Sequence, residues 1–206
     1  MLSQSVASAL REAISAGEFQ PGERLSEVKA AERFHCSRNT LRESFTRLAA
    51  ERIVERIPNR GVFLAMPDAD YIRDLFAARA AIEPAAVRWG TFADAPSLIT
   101  LTSSAFDYAA RGEHQEVSAI NQRFHRTLVA ALGSPTLNEQ MDNLLARMRL
   151  TFLLAIPRYP QLHADHIQGN ITLATLIADG KRDEAATLAH DSLMNTCGKI
   201  LAVLED

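Results

Sequence analysis

The sequence predicts a mainly α-helical protein in two parts, and three observations support this. Two short amphipathic stretches lie three residues apart near the start of the chain, and a pair of β-prone runs follows them. Apolar residues then recur at helical spacing toward the C-terminus. We therefore expect an N-terminal winged helix-turn-helix with a small β-hairpin wing in residues 1–67, the head, and a C-terminal all-α bundle of six helices in residues 68–206, the body.

The helices of the head follow from apolar spacing and from capping residues. Apolar side chains at helical intervals predict a helix over residues 2–16, which Gly17 can end. The segment FQPGERLS, residues 19–26, is predicted to be a turn. Two short helices over residues 26–34 and 38–50 follow, because a serine at the start of each can accept a hydrogen bond from a first-turn amide. The two capping serines are Ser26 and Ser37.

The two β-prone runs after the second of these helices predict the wing. IVERI and VFLA are rich in apolar residues, and PNRG between them, residues 58–61, supplies Pro, Asn and Gly for a tight turn. A hairpin directly behind two helices with a three-residue connection is typical of a winged helix-turn-helix, whose second helix enters the major groove of DNA.

The second helix carries groups that can bind DNA. Its apolar residues Leu41, Phe45 and Leu48 share one face, which leaves the polar side chains near its N-terminal half exposed. Arginine can bond bidentately to guanine and asparagine to adenine, whereas hydroxyls bind phosphate. The segment is therefore predicted to bind duplex DNA. The exposed polar residues of this helix are Arg38, Asn39, Arg42 and Thr46, and Arg47 is a further basic candidate.

The distribution of charge agrees with a polyanionic partner for the head. The net charge of the chain is −3, but the head holds 10 Lys and Arg against 8 Asp and Glu, while the body holds 12 against 17. Residues 37–60 alone hold 6 Arg against 3 Glu. A solvated helix face would also explain a local excess of this size. Charge therefore agrees with DNA binding by the head but does not establish it.

Residues 10–67 resemble the winged helix-turn-helix of the GntR family of bacterial transcription regulators, through LREAI, PG, LSE, SR with LRE, RL and RG. In that family the start of the second helix and the tip of the wing touch DNA. The sequence departs from the family at Val28, where many members have an arginine after LSE, so one phosphate or base contact of the family is lost here unless Lys29 replaces it. The residues to which DNA contacts carry over are Ser37, Arg38, Asn39, Thr40 and Arg42 in the helix, and Asn59, Arg60 and Gly61 in the wing.

The body is predicted to be helical throughout, divided by short loops that contain Gly, Pro or Asp. The sequence has no Gly-rich phosphate loop, nucleophile elbow or HExxH motif, so no enzyme class is indicated. It has no apolar run long enough for a membrane span, and Cys36 and Cys197 have no metal-binding or disulfide spacing. We expect a cytoplasmic protein without a membrane partner. The expected helices span residues 68–91, 95–111, 113–132, 135–156, 161–179 and 182–204.

Polar side chains interrupt the apolar faces of several body helices. Arg79 follows Leu75 by four residues, and Asn121 and His125 alternate with apolar residues. Because buried polar groups need partners, such positions on several helices predict a shared polar pocket for an effector. Local hydrogen bonds, or a place at the rim of the apolar face, would explain each residue equally well. The pocket candidates are Arg79, Asn121, His125, Arg149, Asn170 and Ser192.

The body is similar to the helical FCD effector domain of the FadR-type GntR branch, in its shorter, VanR-like form, through LFAARAAIEPAAV, FHRTLVAALGSPTL and ITLATLIADGKRDEAATLAHDSL. Many FCD domains hold a divalent metal on one Asp and three His. The corresponding residues here are Asn121, His125, Asn170 and Ser192. One ligand of the four is kept, and a tight site is not expected, because Asn and Ser are weak neutral ligands. An alternative, rearranged site of the zinc type would use His125, His166 and His190.

Together these observations predict a ligand-responsive transcription regulator that binds a pseudo-palindromic operator as a homodimer. Small carboxylates often bind the effector pocket in the resembling family, and Arg79 and Arg149 are the cations placed to pair with one. Repression relieved by a metabolite is the expected form of control. One alternative is a helical metal-binding or catalytic domain with an appended DNA-binding head. Another is an architectural DNA-binding protein without an effector.

Overall fold

The computed structural model describes residues 2–205, and Met1 and Asp206 lie outside the described part. Within this range the chain forms ten helices and one three-stranded sheet, which confirms the mainly α-helical class with an N-terminal winged helix-turn-helix. No helix in the same range is both long and apolar enough to cross a bilayer. The elements are α1 (Leu2–Ser15), β1 (Arg24–Leu25), α2 (Glu27–Arg33), α3 (Arg38–Ala50), β2 (Val54–Ile57), β3 (Gly61–Leu64), α4 (Ala69–Trp89), α5 (Ala95–Ser103), α6 (Ala105–Ala110), α7 (His114–Ala130), α8 (Pro135–Ala155), α9 (Leu162–Ala178) and α10 (Arg182–Glu205).

The described residues group into two compact units. The N-terminal unit contains the residues up to Asp68 together with Leu145–Leu154 of α8. The C-terminal unit contains Ala69–Leu144 and the residues from Ala155 onward. The N-terminal unit therefore includes a segment of α8 that the sequence prediction assigned to the body.

Capping and an apolar core hold the helix-turn-helix of the N-terminal unit. The Ser26 hydroxyl accepts a hydrogen bond from the Lys29 amide at 3.4 Å, and the Ser37 hydroxyl accepts one from the Thr40 amide at 3.1 Å. Both serines thus cap their helices as the sequence predicted. The inward faces of α1 and α3 pack on each other. Their fully buried residues are Leu10, Ile14, Leu41, Phe45 and Leu48.

A largely buried ion pair ties α1 to the end of α3. The Arg11 guanidinium donates to both carboxylate oxygens of Glu51, with Nη2 at 2.9 Å from Oε1 and 2.7 Å from Oε2. The two side chains are 7% and 18% exposed. Such a two-oxygen, charge-assisted contact fixes the angle at which α1 meets the C-terminus of α3.

The sheet is an antiparallel wing with strand order β1-β3-β2. The hairpin of β2 and β3 was predicted, and its register places Arg56 opposite Val62. The third strand, β1, pairs Arg24 with Phe63 and lies in the segment that the sequence predicted to be a turn. That prediction was incomplete because a strand of two residues is too short to show an alternating pattern, and its partner is distant in the sequence.

The helices α4, α7 and α9 of the C-terminal unit surround a shared apolar core. Val87 of α4, Phe124 of α7 and Ile177 of α9 are buried in one cluster with residues of α5 and α10. Helix α10 lies along α4, and ion pairs join them near both ends, Arg88 with Asp183 and Arg73 with Glu205. The shared cluster brings the inward faces of α4, α7 and α9 together.

One helix predicted from the sequence, residues 95–111, is divided at Ser104 into α5 and α6, so this part of the chain has seven helices rather than six. Side-chain hydroxyls bond to backbone carbonyls at the division. The Thr102 hydroxyl donates to the Leu98 carbonyl at 2.9 Å, and the Ser104 hydroxyl donates to the Leu101 carbonyl at 2.7 Å. Such bonds compete with the helical backbone ladder and favour a bend or break.

Candidate functional site

The N-terminus of α3 presents two unengaged polar side chains to solvent. Arg38 and Asn39 are exposed, and among residues 2–205 neither side chain has a hydrogen-bond or ion-pair partner. Ser37 and Thr40 are engaged with each other, because their hydroxyl oxygens lie 2.9 Å apart in addition to the capping bond. The two hydroxyls therefore hold the helix terminus, while Arg38 and Asn39 are available to reach a base edge.

Arg42 is exposed one turn further along α3, and it is ion-paired with Glu27 at the start of α2. Its Nε lies 3.2 Å from Oε1 and 3.1 Å from Oε2 of that carboxylate, and Nη2 lies 3.0 Å from Oε2. The hydrogen bond and the charge of Glu27 raise the pKa of the Arg42 guanidinium. A nucleic-acid phosphate that binds Arg42 has to compete with this internal carboxylate.

The middle of α3 is linked to the wing. Arg56 of β2 donates a hydrogen bond from Nη1 to the Thr46 hydroxyl at 3.1 Å, and that hydroxyl donates to the Arg42 carbonyl at 2.9 Å. Arg47 is exposed and already has an interaction within the chain. Thr46 and Arg56 thus position the wing against the recognition helix, and Arg56 is a residue that the sequence analysis did not single out.

The tip of the wing is a tight, basic turn. Asn59 and Gly61 have positive φ angles of 60° and 111°, which asparagine and glycine tolerate better than other residues. The Arg60 guanidinium lies over the ring of Phe63, 5.7 Å from its centroid. Arg24 of β1 reaches the same turn, because a Cβ placed on Gly61 would be 3.4 Å from its Nε. Arg24 is not among the DNA contacts predicted from the sequence, since its strand was predicted to be a turn.

Three buried side chains in the C-terminal unit form a connected charge network. Arg79 donates from Nε to Glu83 Oε1 at 2.6 Å, and Glu83 Oε2 lies 2.6 Å from Nδ1 of His125. All three residues are at most 8% exposed. Burial alone would raise the pKa of Glu83, but Arg79 and His125 outweigh it and lower that pKa well below its usual range.

Three more polar residues lie near this network. The Asn170 side-chain amide donates to Asn121 Oδ1 at 2.7 Å, which links α9 to α7. Burial, followed by electrostatic interactions with His125 and Arg79, lowers the pKa of His166 to about 3, so the His166 imidazole is neutral at physiological pH. We call these six residues the polar cluster: Arg79, Glu83, Asn121, His125, His166 and Asn170.

Glu83 is the member of the polar cluster that the sequence analysis missed. On α4, Glu83 is 1% exposed, whereas its neighbour Ile82 is only half-buried. The available signal was the spacing of Arg79 and Glu83, since residues four apart on a helix can form an ion pair.

Three residues predicted for the effector or metal site do not join the polar cluster. Arg149 belongs to the N-terminal unit, where a Cβ added to Gly17 would overlap its guanidinium. Burial lowers the pKa of Arg149. Ser192 is exposed on α10, and His190 is exposed with its Nδ1 3.0 Å from an oxygen of Asp191. The cluster is therefore smaller than the predicted pocket and is formed by α4, α7 and α9.

The donors of the polar cluster do not fit a divalent metal. Within the described range of the chain, no group of three or more His, Cys, Asp and Glu side chains is arranged to hold an ion. Asn121 and Asn170 stand at two positions aligned with metal ligands, but both are neutral amides that bond to each other. His190 points to a different set of neighbours from His125 and His166. The rearranged histidine site is thus not assembled.

Two family models cover most of the chain. Residues 2–64 match the model described as "Bacterial regulatory proteins, gntR family". Residues 74–194 match the model described as "FCD domain", and this match alone spans more than half of the 206 residues. The first match ends with β3, and the second begins at residue 74, within α4.

Individual relatives agree with both matches. The Nta operon transcriptional regulator of Aminobacter aminovorans is 27% identical over 90% of this chain and 88% of its own length. The HTH-type transcriptional repressor GlaR of Escherichia coli K12 is 29% identical over 88% of each chain. A crystal structure of a GntR transcriptional regulator from Rhodococcus sp. RHA1 is 29% identical, covers 97% of both chains and superposes with a TM-score of 0.82.

Proposed function

The chain belongs to the gntR family of bacterial regulatory proteins and carries an FCD domain, and from this premise we propose that it is a homodimeric, effector-controlled regulator of a pseudo-palindromic operator. It is a DNA-binding transcription regulator and not an enzyme. The proposal concerns the way in which it reads DNA and the way in which it is controlled. Binding to a bacterial operator implies that it works in the cytoplasm, where the chromosome lies.

The observation that carries the proposal is the pair of exposed, unengaged side chains at the capped start of α3. Arg38 can bond to O6 and N7 of one guanine, and Asn39 to N6 and N7 of one adenine. The wing tip, with Arg60 and the neighbouring Arg24, contacts phosphates or the minor groove beside that site. Ser37 and Thr40 keep the helix start in place, and Arg42 exchanges Glu27 for a phosphate on binding. Arg47 and the backbone at Asn59 and Gly61 are lesser contributors.

Two copies of the head on a two-fold axis match two inverted half-sites, which is why we propose a homodimer. One head makes few base contacts, so a single half-site would give little sequence discrimination. Pairing two heads doubles the number of base contacts and makes the half-site spacing part of the recognition.

We propose that the effector binds at the polar cluster of the FCD domain. Six polar side chains from three helices lie together there, next to the buried apolar residues of the same helices. A ligand that prefers one arrangement of α4, α7 and α9 shifts the population of DNA-binding conformations. We propose that the protein represses transcription and that the effector relieves this repression. The relative GlaR is described as a repressor, which supports this direction of control.

Selection of bound duplexes from a random DNA library tests this function. The proposal expects selected sequences with two inverted half-sites, and it expects native mass spectrometry to find two chains on each duplex. A single uninterrupted site occupied by one chain would contradict the dimer, and the absence of any enriched sequence would contradict sequence-specific reading. Arg123→Ala removes an exposed arginine of α7 that is not among the proposed DNA contacts, and this variant should select the same sequences as the wild type.

A further inference from the structure

Glu83 has both of its carboxylate oxygens committed within the polar cluster. One oxygen accepts from the Arg79 guanidinium and the other faces the His125 imidazole, each at 2.6 Å. The side chains of Arg79, Glu83 and His125 are 2%, 1% and 11% exposed. Contacts of this length between a carboxylate and a buried cation are charge-assisted and stronger than neutral hydrogen bonds.

We propose that Glu83 is a built-in occupant of the anion-binding position formed by Arg79 and His125, so that the polar cluster selects an uncharged, hydrogen-bonding ligand over a carboxylate. This inference rests on the proposal that the effector binds at the polar cluster. It replaces the carboxylate effector expected from the sequence, because that expectation relied on Arg79 and Arg149 as available cations. Arg79 is paired with Glu83, and the Arg149 guanidinium packs against Gly17.

The charges of the polar cluster leave little to attract a second carboxylate. The carboxylate of Glu83 balances the guanidinium of Arg79 and also occupies Nδ1 of His125, and Asn121 and Asn170 carry no charge. A ligand carboxylate beside Arg79 would lie next to Glu83 in a buried setting, where repulsion between like charges is weakly screened. If the ligand displaced Glu83 instead, it would leave a buried carboxylate without its partners, which is strongly unfavourable.

Uncharged ligands meet a more favourable environment. The Asn121–Asn170 bond uses one lone pair of the Asn121 oxygen and one amide hydrogen of Asn170, so each side chain keeps further hydrogen-bonding capacity. An alcohol or an amide can both donate to and accept from these side chains without adding charge, and a lactone can accept from them. Selectivity for an uncharged ligand thus comes both from Glu83, which repels a carboxylate, and from the two asparagine side chains, which can hydrogen-bond the ligand.

Small probes that match the missing side chain test the proposal in the full-length protein. Glu83→Ala removes the internal carboxylate, and acetate is small enough to take its place, while acetamide has the same shape without charge. Thermal unfolding is measured with each probe against sodium chloride of equal ionic strength. We expect acetate to stabilise Glu83→Ala saturably, with an apparent affinity about tenfold higher than that of acetamide. The wild-type protein should show no preference for acetate.

Two further variants show which side chains are responsible for the acetate response. The double variant Arg79→Ala/Glu83→Ala should lose most of the acetate response, because the guanidinium is gone and His125 alone is left in the anion-binding position. Glu116→Ala removes an exposed carboxylate from α7 and should behave like the wild type. If Glu83→Ala does not fold in chloride, refolding in acetate becomes the readout, and the proposal expects recovery in acetate alone.

Three results would overturn the proposal: an acetate preference in the wild type, no acetate preference or rescue in Glu83→Ala, or an unchanged response in the double variant. None of these results depends on DNA. A protein that fails the acetate test and still selects an inverted repeat therefore disproves the ligand class alone, and loss of operator selection disproves the proposed function instead.

Discussion

Arg42 of α3 and Glu27 of α2 form an ion pair on the surface of the helix-turn-helix, with nitrogen to oxygen distances between 3.0 and 3.2 Å. Their side chains are 56% and 33% exposed, so the pair adds little to stability. Its main consequence is electrostatic. The Glu27 carboxylate occupies the guanidinium that a DNA phosphate would bind, and it adds a negative charge to a surface that approaches a polyanion.

Glu27→Gln should therefore strengthen DNA binding. Freeing Arg42 is expected to raise the affinity for the operator and for unrelated duplexes alike, because phosphate contacts carry little sequence information. The slope of log K against log salt concentration should steepen by about one unit. Fluorescence anisotropy over a salt series measures both quantities. Glu32→Gln changes the same charge at an exposed position of α2, and an equal slope in the two variants would show that Arg42 does not take up a phosphate.

The Arg11–Glu51 pair should contribute far more to the stability of the head than a surface pair does. Arg11→Ala leaves the partly buried Glu51 carboxylate without its cation, so the free energy of unfolding should fall by about 3 kcal/mol. Arg33→Ala breaks an exposed pair with Glu18 and should cost less than about 1 kcal/mol. Urea unfolding followed by circular dichroism compares the two. Equal losses would mean that burial does not govern the strength of the Arg11 pair.

Burial of His166 should make stability depend on pH. The pKa of this imidazole is lowered to about 3 in the folded chain, against 6.5 for an ordinary histidine. Between these values the unfolded chain binds a proton that the folded chain does not, so stability is present above about pH 6.5 and is lost as the pH falls. The contribution to the slope is about 1.4 kcal/mol per pH unit within that window.

His166→Gln should remove this part of the pH dependence, since glutamine does not titrate. Urea unfolding at several pH values between about 4 and 7 measures how the free energy of unfolding changes with pH, because that range covers most of the interval between the two pKa values of His166. His114→Gln, at an exposed position of α7, is the matched control for loss of one imidazole and should keep the wild-type slope. A wild-type slope in His166→Gln would contradict the burial of a neutral imidazole.

The helix-turn-helix could be predicted from the sequence because its signals are local. The serine caps at Ser26 and Ser37 act within one helical turn, and the row Leu41, Phe45 and Leu48 defines the inward face of α3 without reference to other helices. The hairpin likewise follows from turn residues next to two β-prone runs. The strand β1 could not be predicted, since it exists only through its pairing with the distant β3.

The polar cluster was predictable only in part because its membership depends on how helices pack. Arg79, Asn121, His125 and Asn170 lie on inward faces as expected, but on α4 the charged Glu83 is buried while the apolar Ile82 beside it is only half-buried. Ser192 lies on an exposed face of α10, although its spacing from Leu188 is helical. Periodicity gives the face of a helix and leaves open which neighbour covers that face.

The most direct test of the account compares the wild type, Arg38→Ala and Arg123→Ala on the selected operator and on a scrambled duplex at one salt concentration. Because Arg38 is proposed to bond to a guanine, its removal should weaken operator binding by about 1–3 kcal/mol and affect the scrambled duplex far less. Arg123→Ala should match the wild type on both. Wild-type discrimination between the two duplexes in Arg38→Ala would contradict the claim that the start of α3 reads the operator.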